Sequence, residues 1–280
     1  MHPAVRACLA TAALAALTGA SPGRPLVRVL RPPPQTAPSS SAAAPTGPIA
    51  VPCPSGSLPD GDGCVPFGQA TEGEGVGLES QTNQHRDRQG QLKVYEQIPR
   101  RPDRPEAYEA YRYPIPTAEG QKLALSGFDL DLPEEQQRRG PHLKAVGHGG
   151  VDLAAPRGTE VRALPLEHQE GDAEVLYTGQ LFGLSVVTRH TRKENGRLQD
   201  YVAILGHLDS VAPGLPRGAR VPAGALLGAV GDSGSEGIVH LHLELRRVRD
   251  SVDVALLAPG KLVANDRTIA VDPRNLLPLR

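Results

Sequence analysis

The chain has 280 residues, enough for one or two domains, and its net charge of −1 balances 30 basic against 31 acidic side chains. That balance gives no electrostatic ground for a nucleic-acid partner or an anionic membrane surface. Tryptophan is absent and aromatic residues make up only 3%, so any core is built mainly from Leu, Val, Ile and Ala.

Residues 1–20 have the pattern of a secretory signal. Arg6 supplies a positive start, Ala7 to Leu17 an apolar run, and Thr18-Gly19-Ala20 the small residues of a cleavage site. The run is too short to cross a hydrocarbon layer about 30 Å thick, so export without a transmembrane anchor is expected. Cys8 lies ahead of the cleavage point, which leaves Cys53 and Cys64. Two cysteines in an exported chain favour a disulfide. The intervening PSGSLPDGDG is turn chemistry throughout, and closing such a loop stabilises by roughly 3 kcal/mol.

Residues 21–48 are rich in Pro, Ala and Ser. They bury too little apolar surface to offset backbone ordering, and a disordered linker is predicted. Residues 49–66 hold the small cysteine loop. Residues 67–115 are largely polar and expected to be weakly ordered, ending in an aromatic patch of Tyr108, Tyr111 and Tyr113 able to pack on the edge of the globular domain. The globular pattern occupies 116–277. β-like runs are predicted at Thr159–Leu164, Ala173–Thr178, Leu184–His190, Tyr201–Gly206, Ala225–Val230 and Ile238–Val248, with turn residues between them. The polar stretch Thr191 to Asp200 reads as the connection of the longer pair. No long 3.6-residue period appears after residue 20. The expected fold class is all-β, a compact antiparallel sandwich or barrel-like domain.

Chemistry concentrates in three places. In Val239-His240-Leu241-His242-Leu243-Glu244-Leu245 the alternation is strict, so His240, His242 and Glu244 share one strand face, about 7 Å apart in sequence steps of two. That pattern suits a metal-ligating histidine beside a second histidine that works next to the metal, and it equally suits a half-exposed amphipathic strand. In His148-Gly149-Gly150-Val151-Asp152 the glycines disfavour a helix and allow a loop that brings both polar side chains onto one ion. His207 ends a strand-like run and gains significance only from the others. Taken together, His148, Asp152 and His242 would supply three ligands to a tetrahedral zinc with one open position. His207 and His240 would then remain beside the activated water, to steer it, stabilise an oxyanion and pass a proton. No HExxH helix is present. His85, His142, His168 and His190 carry no assigned role and are expected on the surface. Glu244 is placed to orient one of the histidines.

The segments HGGVDLAAPRGTEVRAL, ILGHLDS and GDSGSEGIVHLHLELR, in this order, resemble the lysostaphin-like (LytM-type) zinc endopeptidases, whose domain has the duplicated hybrid motif fold. The likeness runs over about residues 140–277, closing at Val271-Asp272-Pro273 and Leu276-Leu277. It implies that His148, Asp152 and His242 bind one Zn2+ per chain, that His207 and His240 form the catalytic pair, and that the substrate is the stem or cross-bridge peptides of peptidoglycan. The chain departs from the family in a longer stretch at Pro165–Asp172, in Leu205 where an aromatic is frequent, and in Ile238-Val239 where Gly-Pro is common. All of these touch groove walls.

The expected function is thus an exported zinc metalloendopeptidase, monomeric, in the periplasm, cell envelope or outside the cell. The alternative is a non-catalytic LytM-type module that regulates another wall hydrolase. A third reading, an exported β-rich protein with chance histidines, is separated from both by whether the three ligands converge on one point.

Overall fold

The computed structural model of the protein describes residues 57–60, 63–66, 73–86, 90–117, 121–130 and 147–280. The expected signal sequence and linker, Cys53 and His142 lie outside the described residues, as do the side chains of Cys64 and His85. Among the described residues no helix is long and apolar enough to cross a membrane.

Two short strands, β1 (Ser57–Asp60) and β2 (Gly63–Pro66), pair as an antiparallel hairpin. The remaining strands are β3 (Gln81–Arg86), β4 (Leu92–Ile98), β5 (Ala124–Ser126), β6 (Gly150–Leu153), β7 (Glu160–Arg162), β8 (Ala173–Leu181), β9 (Gly183–Glu194), β10 (Arg197–Gly206), β11 (Leu208–Val211), β12 (Arg220–Val221), β13 (Leu226–Val230), β14 (Leu241–Val248) and β15 (Thr268–Val271). The only helices among the described residues are single 3-10 turns, so the all-β expectation holds.

A large sheet runs β12-β8-β9-β10-β14-β15-β4-β3, and a second sheet runs β11-β13-β7. Pairing is antiparallel except where β15 meets β4, which is parallel. The main core includes Val151, Leu153, Val161, Tyr201, Leu205, Leu208, Leu227, Leu241, Leu243 and Leu245. A smaller cluster of Leu176, Val187, Val202, Ile204, Val248, Val254 and Leu262 is distinct from it. The alternation of β10 assigns Tyr201, Ala203 and Leu205 to the first and Val202 and Ile204 to the second, so the strand is buried on both faces.

Two expectations change. The connection placed at Thr191–Asp200 is strand almost throughout: β9 and β10 stay in register to Glu194 and Arg197, and the turn is Asn195-Gly196, with φ of 45° and 75°. Asn-Gly is the residue pair that two-residue hairpins select, because both positions need positive φ. The polar character of the stretch conceals a buried ion pair, Arg192 with Glu194, on β9. The 67–115 segment, expected to be weakly ordered, supplies β3 and β4, and β4 joins the main sheet beside β15. Ile98 at its end and, beyond it, Tyr111, Tyr113 and Ile115 are almost fully buried in the main core. Low apolar content hid this because few side chains here, widely spaced, do the packing.

Candidate metal centre

The site is built around β14. Its neighbour on one side is β10; on the other, Leu241–Glu244 pair with β6 while Leu245–Val248 pair with β15. The register sets Asp152 opposite His242 on one side and Gly206 opposite it on the other. Cross-strand partners share a face and bring Cβ atoms within about 5 Å, so Asp152 and His242 meet as a consequence of pairing. His148 arrives from a loop held to the sheet by a bridge with Asp129. The double glycine of the sequence is explained by β14: a Cβ at Gly150 would stand 2.4 Å from the Leu243 carbonyl oxygen, and one at Gly149 about 3.0 Å from the Glu244 carboxylate.

Three donor atoms converge. His148 Nε2 lies 3.1 Å from Asp152 Oδ1 and 3.3 Å from His242 Nδ1, and His242 Nδ1 lies 2.9 Å from Asp152 Oδ1. A tetrahedral ion with bonds of about 2.0–2.1 Å needs its donors about 3.3 Å apart, so the triangle has the required size. These three residues can hold a metal ion.

The far nitrogen of each imidazole is occupied. His148 Nδ1 sits 2.6 Å from the Gly127 carbonyl and 3.1 Å from Ser126 Oγ. A carbonyl only accepts, so Nδ1 carries the proton and Nε2 presents its lone pair to the triangle. His242 Nε2 faces Glu244 Oε2 at 3.4 Å, and Glu244 is ion-paired with Arg246. Arg246 in turn donates to Thr268 Oγ1 at 2.7 Å and Asn265 Oδ1 at 2.7 Å. His242, Glu244 and Arg246 are all buried, so the polar face of this strand is not the solvated face that an amphipathic strand would present.

Charge follows the geometry. Burial alone pushes the Asp152 carboxyl up, but the imidazoles of His148 and His242 beside it outweigh burial and hold the group far below the usual carboxylate range. Burial likewise opposes ionisation of Glu244, yet Arg246 and His242 draw it down to about 2. His242 is raised to about 9, because its two carboxylate partners overcome its burial.

His207 and His240 stand together beside this group, their ring centroids 4.6 Å apart. Each donates Nδ1–H to a main-chain carbonyl at 2.8 Å, His207 to Ser233 and His240 to Ile238. His240 Nε2 then lies 3.7 Å from Asp152 Oδ1. His207 has φ of 61° between β10 and β11, a strained setting for a side chain-bearing residue and one that clusters at functional sites. Burial first, and then the neighbouring His242, bring its imidazole down to about 4 against the Ser233 bond. His240 precedes β14 by one residue and is bridged to Gly231, just after β13, and the strand expected from Ile238 begins at Leu241.

The structure thus brings together His148, Asp152, His242, His207, His240 and Glu244. His190, expected on the surface, is buried instead, bonded to Gln169 Oε1 and Thr188 Oγ1 and brought down to about 4 by burial. Sequence reasoning missed Gly127, Ser126 and Phe182, whose ring packs 4.9 Å from that of His242. None of these belongs to a recognisable motif; their roles come from position alone.

Residues 146–254 match the model of peptidase family M23. Among solved structures, the chain is similar to a variant catalytic domain of the prophage-encoded M23 protein EnpA from Enterococcus faecalis, at 25% identity over 45% of this chain and 80% of that one, with a TM-score of 0.29. The catalytic domain of lysostaphin from Staphylococcus simulans matches at 20% identity over 53% and 86%, TM-score 0.33. A zinc containing peptidase from Vibrio cholerae matches at 19% over 63% and 47%, TM-score 0.34. The matched residues 146–254 carry all six site residues.

Proposed function

We propose that the protein is an exported, monomeric zinc metalloendopeptidase that hydrolyses peptide bonds in the stem or cross-bridge peptides of peptidoglycan. The observation that carries this is the convergence of His148 Nε2, Asp152 Oδ1 and His242 Nδ1 into a triangle of 2.9–3.3 Å beside two further histidines. The nitrogen and carboxylate donor set suits zinc. Peptidoglycan rests on the motif resemblance, and export on the signal-like residues 1–20.

In this reading His148, Asp152 and His242 hold the ion, and a zinc held there supplies a Lewis acid for the scissile carbonyl and an acidified water. Glu244, braced by Arg246, fixes the His242 ring through Nε2. His207 and His240, with their Nδ1 protons committed to carbonyls, present Nε2 lone pairs. These take up the proton of the attacking water, hand it to the leaving amine and, when protonated, donate to the developing oxyanion.

The test measures zinc content and the masses of fragments released from defined muropeptides by the purified chain. His242→Ala and Asp152→Asn are expected to lose both stoichiometric zinc and cleavage. Cleavage that survives metal stripping would overturn the reading. Bound zinc without turnover on any muropeptide would favour the regulatory module instead.

A further inference from the structure

The His148 imidazole is oriented from outside the family-matched segment. Its Nδ1–H is bound at 2.6 Å by the carbonyl of Gly127. The other end of that same peptide unit, the Phe128 N–H, donates to the Tyr108 hydroxyl at 2.8 Å. A peptide unit is planar and stiff, and no cis bond occurs among the described residues, so N–H and C=O of this unit point in opposite directions. Fixing the N–H end therefore fixes the carbonyl that His148 uses. The approach is close: a Cβ on Gly127 would stand 2.6 Å from the Tyr108 hydroxyl oxygen.

Tyr108 is itself held in place. Its main-chain carbonyl accepts from the Tyr113 hydroxyl at 3.0 Å. The Arg274 guanidinium lies 4.2 Å from its ring centre, and Arg274 is clamped by the buried Asp272 through bonds of 3.0 and 2.7 Å. Burial pushes the phenol above its ordinary value, so the hydroxyl stays neutral. A line of defined contacts runs from Asp272 through Arg274 and Tyr108 to one peptide plane and then to His148.

We propose that Tyr108 is a positioning residue for the metal centre: its hydroxyl sets the tilt of the 127–128 peptide, whose carbonyl holds His148 with Nε2 aimed at Asp152 and His242. This rests on the proposed zinc site. It makes the region before residue 146 part of that site, although the region lies beyond the family match.

Tyr108→Phe removes one oxygen and keeps the ring over which Arg274 sits. In the full chain it should weaken zinc, measured by competition with a chromogenic chelator, roughly 10- to 100-fold, the usual size of an outer-shell loss. Thermal stability should change little. Nitrogen-15 spectra of the histidine side chains should show a protected Nδ1–H on His148 in the parent chain, and faster exchange or a mixed tautomer in the variant. Gly127→Ala, which displaces the hydroxyl while keeping it, should produce the same two changes. Ser126→Ala, which leaves the carbonyl bond intact, should not. The proposal is overturned if Tyr108→Phe binds zinc within twofold of the parent, or if its His148 Nδ1–H is equally protected. Should the parent chain bind no zinc, the site reading fails, and the imidazole spectra, which need no metal, still decide whether Tyr108 orients His148.

Discussion

His190 and His242 ride strands of the same sheet and are both buried, yet their chemistry diverges through their partners. His242 faces two carboxylates. His190 meets neutral groups only: its Nδ1–H donates to Gln169 Oε1 at 2.7 Å and its Nε2 accepts from the Thr188 hydroxyl at 2.8 Å. It is therefore kept neutral, at about 4 in the folded chain against 6.5 in the open one. Above pH 6.5 the ring is neutral in both states and pH has no effect through it. Below 6.5 the unfolded chain takes a proton that the folded one refuses, so stability falls until about pH 4. At pH 5 the loss through this residue is roughly 2 kcal/mol, taking 1.36 kcal/mol per pH unit. Urea unfolding at pH 7.5 and pH 5 should show it, and in His190→Gln the difference between the two pH values should shrink by about that amount. Equal pH dependence in both proteins would show that His190 does not sense pH this way.

At the scale of elements, the β9–β10 hairpin positions His207, because Gly206 at the end of β10 lies opposite His242. Its register is set at the far end by Asn195-Gly196. Gly196→Val puts a β-branched side chain at φ of 75°, a conformation costing L-residues roughly 1–2 kcal/mol. The urea midpoint should fall accordingly with an unchanged slope, and zinc affinity should remain, since the strand pairing nearer the site is long. A large drop in zinc affinity would mean that the turn, rather than the pairing, holds the register. The connection was read as the whole stretch Thr191 to Asp200, because its charged residues concealed how far both strands extend. Alternation in β14 was read correctly for the leucines. Whether its polar face is buried or half-exposed stayed open, since that depends on Arg246 finding Asn265 and Thr268 beyond the strand.

For the whole molecule, the family-matched segment is smaller than the folding unit. Tyr111, Tyr113, Ile115 and Leu123 lie before it and are almost entirely buried. Arg104 adds bonds to Glu167 and to the carbonyls of Arg274 and Leu277. Each of the four apolar side chains contributes about 1.5–3 kcal/mol on burial, a sum comparable to the 5–15 kcal/mol total stability typical of a domain. A chain beginning at residue 140 should therefore lack a cooperative thermal transition and the dispersed amide spectrum of the full protein. A sharp transition from that fragment would show that the earlier residues only decorate an independent domain.

The sequence by itself determined the fold class and the leucine alternation that seats β14, and singled out six side chains that the fold gathers in one place. These are local or periodic properties, carried by residue type and spacing. Tertiary structure alone decided that Asp152 lies across from His242, that His190 is internal, and that Tyr108 meets the 127–128 peptide behind His148. Each of those depends on strand register or on contacts between residues far apart in the chain, which no local pattern encodes.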